Sequence, residues 1–218
     1  MAAMAARAPI PTAMATTAAA MAVVLSLACP ASLHAATFSL NGVTFSDNLG
    51  GFVLERVSGQ GSMDDPFVIV ERITNTAGGI LEFRVDPAYG NKINSQHSIG
   101  FALIKVIENG TGFTWNAFEL ELQSKLGTPS DYADGLSFGQ ASTAGRPFTA
   151  NGFSQVTVLD EPYDRIDFEE GKIRVGGEVT LRFVITESLP LTVAYLAQRP
   201  INPLAEIYPR PSGHSKNG

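Results

Sequence analysis

The chain has 218 residues, and its 15 Lys and Arg against 21 Asp and Glu give a formal net charge of −6 at pH 7. A mildly acidic chain without a basic cluster is a poor partner for a phosphate backbone, so we expect no nucleic-acid binding. The single cysteine, Cys29, does not suffice for an intrachain disulfide, a thiolate zinc site or an iron–sulfur cluster.

The N-terminus has the pattern of a secretory signal peptide. One basic residue, Arg7, precedes an apolar run at residues 18–28, and small residues surround Ala35 and Ala36. A basic start, a short apolar centre and a small-residue exit are typical of a cleaved leader, and a membrane-spanning helix needs about 20 apolar residues. We therefore expect residues 1–36 to be a signal peptide, no transmembrane segment in the mature chain, and a periplasmic or extracellular protein.

Cys29 leaves an alternative open. Residues 26–29 (SLAC) resemble a bacterial lipobox, in which the cysteine becomes a lipidated first residue. Leucine usually stands three positions before that cysteine, whereas this chain has Ser26 there. Cleavage after Cys29 leaves a mature chain without a thiol and excludes cysteine catalysis. Cleavage before Cys29 makes the protein lipid-anchored.

The rest of the chain has the pattern of short strands separated by turns. Asn41-Gly42 and Asn109-Gly110 are hairpin signals, since both residue types tolerate the positive φ of a type I′ turn. In residues 118–122 (FELEL) apolar and charged residues alternate, which is typical of a strand with one buried face. We predict strands at residues 38–40, 43–45, 52–57, 67–74, 80–85, 99–108, 113–126, 153–159, 163–168, 179–186 and 191–197.

These strands predict a single all-β domain over residues 37–198, an antiparallel β-sandwich of jelly-roll type. All 13 phenylalanines lie beyond the leader, so the material for a large core is present. Residues 127–151 are rich in Gly, Ser, Thr and Pro, and we predict a long surface excursion there around a short strand at residues 136–138. The Pro-rich residues 199–218 predict an extended or disordered tail.

Five aspartates in two loops are candidate calcium ligands. Calcium takes about six to eight oxygen ligands, often from flexible acidic loops. Neither loop has the spacing of an EF-hand, and solvated turns that use Asp for backbone geometry are the alternative. We expect no cofactor other than this calcium. The candidate ligands are Asp131, Asp134, Asp160, Asp164 and Asp167.

Glu119 and Glu121 are the candidate catalytic pair. On a strand they point to the same face about 7 Å apart, whereas retaining glycosidases hold their two carboxyls about 5 Å apart. The segment is distantly similar to the Glu-x-Asp-x-x-Glu strand of jelly-roll glucanases, but Ser124 stands in place of the third acid. The polar outer face of an amphipathic strand is the alternative explanation.

Three aromatic residues, Trp115, Tyr132 and Tyr163, are the candidate ligand-binding residues, because sugar rings stack on aromatic side chains. A lone tryptophan in a β-sandwich also packs in the core, so its burial decides between the two roles. His97 is the one histidine between the leader and the tail. One histidine does not make a zinc site, and no Gly-x-Ser-x-Gly elbow accompanies it.

Three segments carry a resemblance to known proteins. Residues 115–122 (WNAFELEL), 134–138 (DGLSF) and 163–168 (YDRIDF) resemble uncharacterised secreted β-sandwich proteins of proteobacteria. Some of those proteins carry a C-terminal sorting tail with a Pro-Glu-Pro motif, an apolar helix and a basic end. This sequence has none of the three parts, so the resemblance implies export and a β-sandwich and no surface anchoring or activity.

The expected function is a non-enzymatic, exported β-sandwich module with a binding or structural role at the cell envelope or outside it, with a glycan as the possible ligand. One alternative is a polysaccharide-acting hydrolase that uses Glu119 and Glu121. Another alternative is a calcium-stabilised, adhesin-like subunit.

Overall fold

The computed structural model describes residues 35–139, 146, 148–160, 162–189 and 192–201, all within one compact unit. Over this part of the chain the regular elements are β-strands. No helix there is long and apolar enough to cross a membrane. The strands are β1 Thr37–Leu40, β2 Val43–Ser46, β3 Phe52–Ser58, β4 Phe67–Ile73, β5 Gly79–Val85, β6 Ile99–Asn109, β7 Ala117–Lys125, β8 Thr128–Pro129, β9 Leu136–Ser137, β10 Thr149–Asn151, β11 Phe153–Leu159, β12 Arg165–Gly171, β13 Glu178–Glu187 and β14 Ala194–Ile201.

The strands form two sheets packed face to face, which confirms the predicted β-sandwich. The eight-stranded sheet has the order β1-β2-β5-β14-β7-β12-β11, with β8 paired to β7. The six-stranded sheet has the order β10-β13-β6-β4-β3, with β9 paired to β13. The strand pairs of the described chain are antiparallel except β4 and β6, which run parallel. The chain runs from β4 through β5 in the other sheet and then returns to form β6. This crossover connection allows β4 and β6 to lie parallel.

The core forms where the alternating apolar residues of the two sheets meet. In β7, Phe118, Leu120 and Leu122 point inward and are fully buried, as the alternating pattern predicts. Phe67 of β4 packs on aromatic rings from both sheets, with ring centroids 5.3 Å from Phe45 and 6.0 Å from Phe101. Burial of each such side chain contributes about 1.5–3 kcal/mol, so the fold rests on this layer.

The first hairpin signal is confirmed and the second is wrong. Asn41 and Gly42 have positive φ and join the paired strands β1 and β2. Asn109 ends β6 in the six-stranded sheet, whereas β7 belongs to the eight-stranded sheet. The chain therefore crosses from one sheet to the other after Asn109. The crossing depends on the Asn109 side chain and not on a left-handed backbone at this residue.

In residues 127–151 the predicted short strand is confirmed as β9, but the prediction that this whole segment lies on the surface is wrong. Leu136, Ser137 and Phe138 are at most 2% exposed, and the Phe138 ring packs against Phe183 at 5.7 Å. The short strand β9 pairs with the end of β13, which pulls this segment into the core. Strands β8 and β10 are also present in this range and were not predicted.

Strand β14 extends beyond the predicted domain end at residue 198. It pairs with β7 as far as Ile201, whereas its pairing with β5 ends at Gln198. Pro200 is tolerated because a proline lacks a backbone donor and fits where one side of a strand is free. Residues 199–201, including Arg199, thus belong to the sheet. The rest of the predicted tail and the predicted leader before Ala35 lie outside the described residues.

Candidate functional site

The three predicted aromatic residues occupy different environments. Trp115 is fully buried, packs against Phe118 at 5.3 Å and donates from Nε1 to Thr111 Oγ1 at 2.9 Å. Its ring is therefore a core element and offers no surface on which a sugar can stack. Tyr132 and Tyr163 are 74% and 50% exposed, so these two retain the possibility of contact with a ligand.

Three of the aspartates proposed as calcium ligands make separate contacts with different partners. Asp160 forms an ion pair with Arg146, and Asp167 accepts a hydrogen bond from Arg165 at 3.0 Å. Asp131 caps its own turn by accepting from a backbone N–H. In the part of the chain that the structure describes, no group of three or more His, Cys, Asp or Glu is arranged to hold a metal. The geometry therefore gives the calcium hypothesis no support.

Asp134 and Asp164 do meet, at the hydroxyl of Ser130. Ser130 Oγ lies 2.8 Å from Asp134 Oδ1, 3.3 Å from Asp164 Oδ2 and 3.0 Å from the carbonyl of Leu136. A hydroxyl has one proton, so it serves one of these three acceptors at a time. Burial raises the pKa of Asp164 to about 7. The nearby charge of Asp160 adds to this increase, whereas the hydrogen bond from Ser130 opposes it. A protonated Asp164 donates to Ser130 Oγ and relieves the shortage of donors.

Replacing Asp164 with asparagine is expected to change how stability depends on pH. The folded pKa of about 7 exceeds the ordinary value of 3.8, so the native state holds this proton more tightly than the unfolded chain. The resulting stability is complete below the ordinary pKa and is lost as pH rises through the folded value. Between about pH 5 and pH 8, urea denaturation should show the free energy of unfolding of Asp164→Asn rising by about 2.5 kcal/mol relative to that of wild type, at about 1.4 kcal/mol per pH unit up to the folded pKa.

The control for this experiment is Asp131→Asn, an exposed aspartate that accepts a backbone hydrogen bond in its own turn. This variant should not reproduce the pH-dependent gain in stability expected for Asp164→Asn. A constant difference between Asp164→Asn and wild type would show that Asp164 does not carry the proton.

The candidate carboxylates Glu119 and Glu121 lie side by side on the outer face of β7, bound to one arginine. Arg199 stands opposite Glu119 on β14. Its guanidinium donates to Glu121 Oε1 at 2.8 Å and to Glu121 Oε2 at 3.1 Å, and it also donates to Glu119. Glu119 and Glu121 are only 9% and 8% exposed. A bidentate arginine fork of this kind fixes the geometry of both carboxylates.

Neighbouring side chains extend this arrangement along the outer face. Gln123 donates to Glu121 Oε1 at 2.8 Å, and Arg165 of β12 lies 3.8 Å from Glu119. We call the set of Glu119, Glu121, Gln123, Arg165 and Arg199 the arginine–carboxylate cluster. Antiparallel pairing of β12, β7 and β14 places these residues in adjacent register, so the cluster is built on rigid strands.

The electrostatics of the cluster favour the charged form of Glu121. Burial alone would raise the pKa of Glu121, but hydrogen bonds from Arg199 and Gln123 lower it below the ordinary value. The two carboxylates in turn raise the pKa of Arg199 against the effect of burial. A glycosidase needs one carboxyl with a raised pKa to protonate the leaving group. The lowered pKa of Glu121 therefore does not favour this residue as the acid of such a pair.

An open groove of about 240 Å³ lies beside the cluster on the same sheet. Ile80 and Ala197, the apolar side chains of β5 and β14, line it together with Arg199. Two glycine-containing turns form its walls. They pack closely, because a Cβ on Gly51 would lie 2.2 Å from the carbonyl oxygen of Gly78. The groove is lined by Leu49, Gly50, Gly51, Asn75, Ala77, Gly78, Gly79, Ile80, Ala197 and Arg199.

Comparisons with known proteins do not identify a family. No protein-family model matches the chain, and no curated protein and no solved structure shows significant similarity to it. The resemblance to secreted β-sandwich proteins of proteobacteria stays a prediction. The candidate site thus rests on the geometry of this chain alone.

Arg199 is the residue that sequence reasoning missed. It was assigned to the tail because Pro200 follows it, and nothing in its neighbourhood along the chain marks it as a partner of Glu119 and Glu121. The pairing register of β14 with β7 brings them together across about 80 residues of chain. Its position two residues after the last predicted strand is the one available signal.

Proposed function

We propose that this protein is an exported, non-enzymatic β-sandwich module that binds a glycan at the cell envelope or outside it. The observation that carries the proposal is the groove beside Arg199, in which an apolar floor of Ile80 and Ala197 adjoins a guanidinium held by two carboxylates. The export of the protein rests on the leader-like N-terminus, and the binding role rests on this groove.

The chemistry of the groove suits a sugar ring. A pyranose has an apolar C–H face, which fits against Ile80 and Ala197, and a rim of hydroxyls, which needs polar partners. Arg199 supplies donors and the glycine-containing turns expose backbone groups to the groove. Ligand pockets commonly combine apolar walls with a few fixed polar groups in about 300–1,000 Å³. The volume of this groove, about 240 Å³, lies just below that range and suits a single sugar unit.

The contacts of the two carboxylates support a binding role over a catalytic one. Glu119 and Glu121 share one arginine, and the lowered pKa of Glu121 does not suit a group that donates a proton to a leaving group. Preorganised charges of this kind are suited to holding a ligand in one orientation.

Blocking the groove with Ala77→Trp is expected to abolish glycan binding. Ala77 is exposed, lines the groove and lies outside the arginine–carboxylate cluster. The indole would occupy the space that a sugar needs while leaving the core unchanged. A glycan array on wild type identifies the ligand class, and calorimetry on the best glycan should then show at least about a tenfold weaker affinity, which corresponds to about 1.4 kcal/mol.

The chain offers a closely matched control in Ala88→Trp. Ala77 and Ala88 are both exposed, and the backbone N–H of each donates at 2.8 Å to the side chain two residues before it, Asn75 or Asp86. Ala88 does not line the groove. Equal affinity of the two variants for the glycan would show that this groove is not the binding site. An array without any binder would refute the glycan as ligand.

A further inference from the structure

A polar cluster is enclosed in the core between the two sheets. Lys105 on β6, Glu71 on β4 and Gln198 on β14 are 0%, 1% and 0% exposed. Each takes an inward position on its strand, where the preceding and following inward residues are apolar. Lysine and glutamate are rarely buried to this degree unless they are paired. Their position therefore calls for a specific explanation.

One oxygen of Glu71 contacts both of the other side chains. Lys105 Nζ donates to Glu71 Oε2 at 2.7 Å, and Gln198 Nε2 donates to the same oxygen at 3.5 Å. The carboxylate oxygen thus lies between an amine on one sheet and an amide on the other. Glu71 Oε1 and Gln198 Oε1 are buried and find no hydrogen-bond partner within the described part of the chain.

The apolar surroundings favour the uncharged forms of the pair. Burial lowers the pKa of Lys105, although Glu71 opposes that shift. Burial likewise raises the pKa of Glu71. Lys105 opposes this increase, and the charge of Asp47 adds to it. A neutral lysine amine is a nucleophile, and a neutral or proton-sharing carboxyl can move a proton.

We propose that Lys105 and Gln198 are joined by an intramolecular isopeptide bond, with Glu71 as the proton relay. Lys105 Nζ attacks Gln198 Cδ, a new C–N bond forms, and the bond from Cδ to Nε2 breaks. One proton passes from Nζ through Glu71 Oε2 to Nε2, which leaves as ammonia. The reaction involves no oxidation or reduction, so it needs no co-reactant.

The contacts suit the proton relay of this reaction. Glu71 Oε2 touches both the attacking nitrogen and the leaving nitrogen. Exclusion of water protects the amide from hydrolysis and keeps the amine from being protonated. The product is a neutral amide in place of a buried amine. This amide links β6 of one sheet to β14 of the other. It reduces the conformational entropy of the unfolded chain, as a disulfide does.

Mass spectrometry of the purified full chain tests the bond directly. The wild-type protein should lack the mass of one ammonia relative to its sequence, after its N-terminus has been assigned by fragmentation. Proteolysis should release a branched peptide that joins the Lys105 segment to the Gln198 segment. A full calculated mass with two separate peptides would overturn the proposal. Loss of water instead of ammonia would place the bond between Lys105 and Glu71 and would also overturn it.

Variants made in the same way separate the roles of the residues. Lys105→Met removes the nucleophile and Glu71→Leu removes the relay, so each should have its full calculated mass. Gln155→Ala is the control, because Gln155 donates to Glu169 in a similar amide–carboxylate contact on the exposed face. It should keep the wild-type deficit. A deficit that persists in Lys105→Met would refute the assignment, and the wild-type mass decides the question even if a core variant does not fold.

Discussion

Replacing Arg199 with methionine is expected to lower the free energy of unfolding by about 2–4 kcal/mol, because two nearly buried carboxylates lose the cation that binds both of them and keep only Arg165, 3.8 Å from Glu119. Arg199 supplies the hydrogen bonds that hold Glu119 and Glu121 on β7. Without it, their mutual repulsion and the loss of water both act against the folded state. Urea denaturation near neutral pH measures the change.

Two further variants make this prediction specific. Adding Glu119→Gln and Glu121→Gln to Arg199→Met removes the uncompensated charges and should restore most of the lost stability. Arg84→Met is the matched control: Arg84 pairs with Glu82 at 2.8 Å on the same sheet, but its side chain is 61% exposed. Exposed pairs contribute about 1 kcal/mol or less. Similar losses for Arg84→Met and Arg199→Met would show that the shielding of the cluster is unimportant.

Replacing Asn109 with alanine should also destabilise the fold severely, by about 3–5 kcal/mol, because several buried hydrogen bonds are lost together. Asn109 is fully buried. Its Nδ2 donates to the carbonyls of Phe113 and Ile173, both at 2.9 Å. Its Oδ1 accepts from the backbone N–H and the hydroxyl of Thr111. The amide therefore fixes the chain where it crosses from one sheet to the other.

The matched control for this prediction is Asn75→Ala. Asn75 is exposed, and its side chain accepts one backbone hydrogen bond in a turn, so its loss should cost about 1 kcal/mol or less. Thermal or chemical denaturation of the two variants gives the comparison. In Asn109→Ala the fluorescence of Trp115 should also change, because Trp115 donates to Thr111. Equal stability of both variants would contradict the role assigned to Asn109.

Asn109 illustrates where local sequence patterns succeed and where they do not. Asn-Gly predicts a type I′ turn from backbone preferences alone, and at Asn41-Gly42 the neighbouring strands agree with it. At Asn109-Gly110 the next strand joins the other sheet, so the turn does not form and the asparagine side chain is used instead. The dipeptide is the same in both places. Only the destination of the following strand differs, and that is a tertiary property.

The candidate site shows the same division. Alternation in residues 118–122 correctly places Phe118, Leu120 and Leu122 inside and puts Glu119 and Glu121 on the opposite face. It does not reveal that the outer face shields the two carboxylates, because that depends on Arg199, which is distant along the chain. Lys105 and Glu71 show this limit more strongly. Each is an ionisable residue in an inward position, and the alternating pattern does not explain why it is buried.

By itself, the sequence determined the all-β class, most strand positions and the first hairpin of this protein, because these follow from backbone preferences and from the period of two along a strand. The tertiary structure decided that Trp115 is core, that Arg199 clamps two carboxylates beside a groove, and that Lys105 meets Glu71 and Gln198. Each of these depends on which strands become neighbours. Pairing register and sheet packing join residues far apart in the chain, and no local pattern encodes that choice.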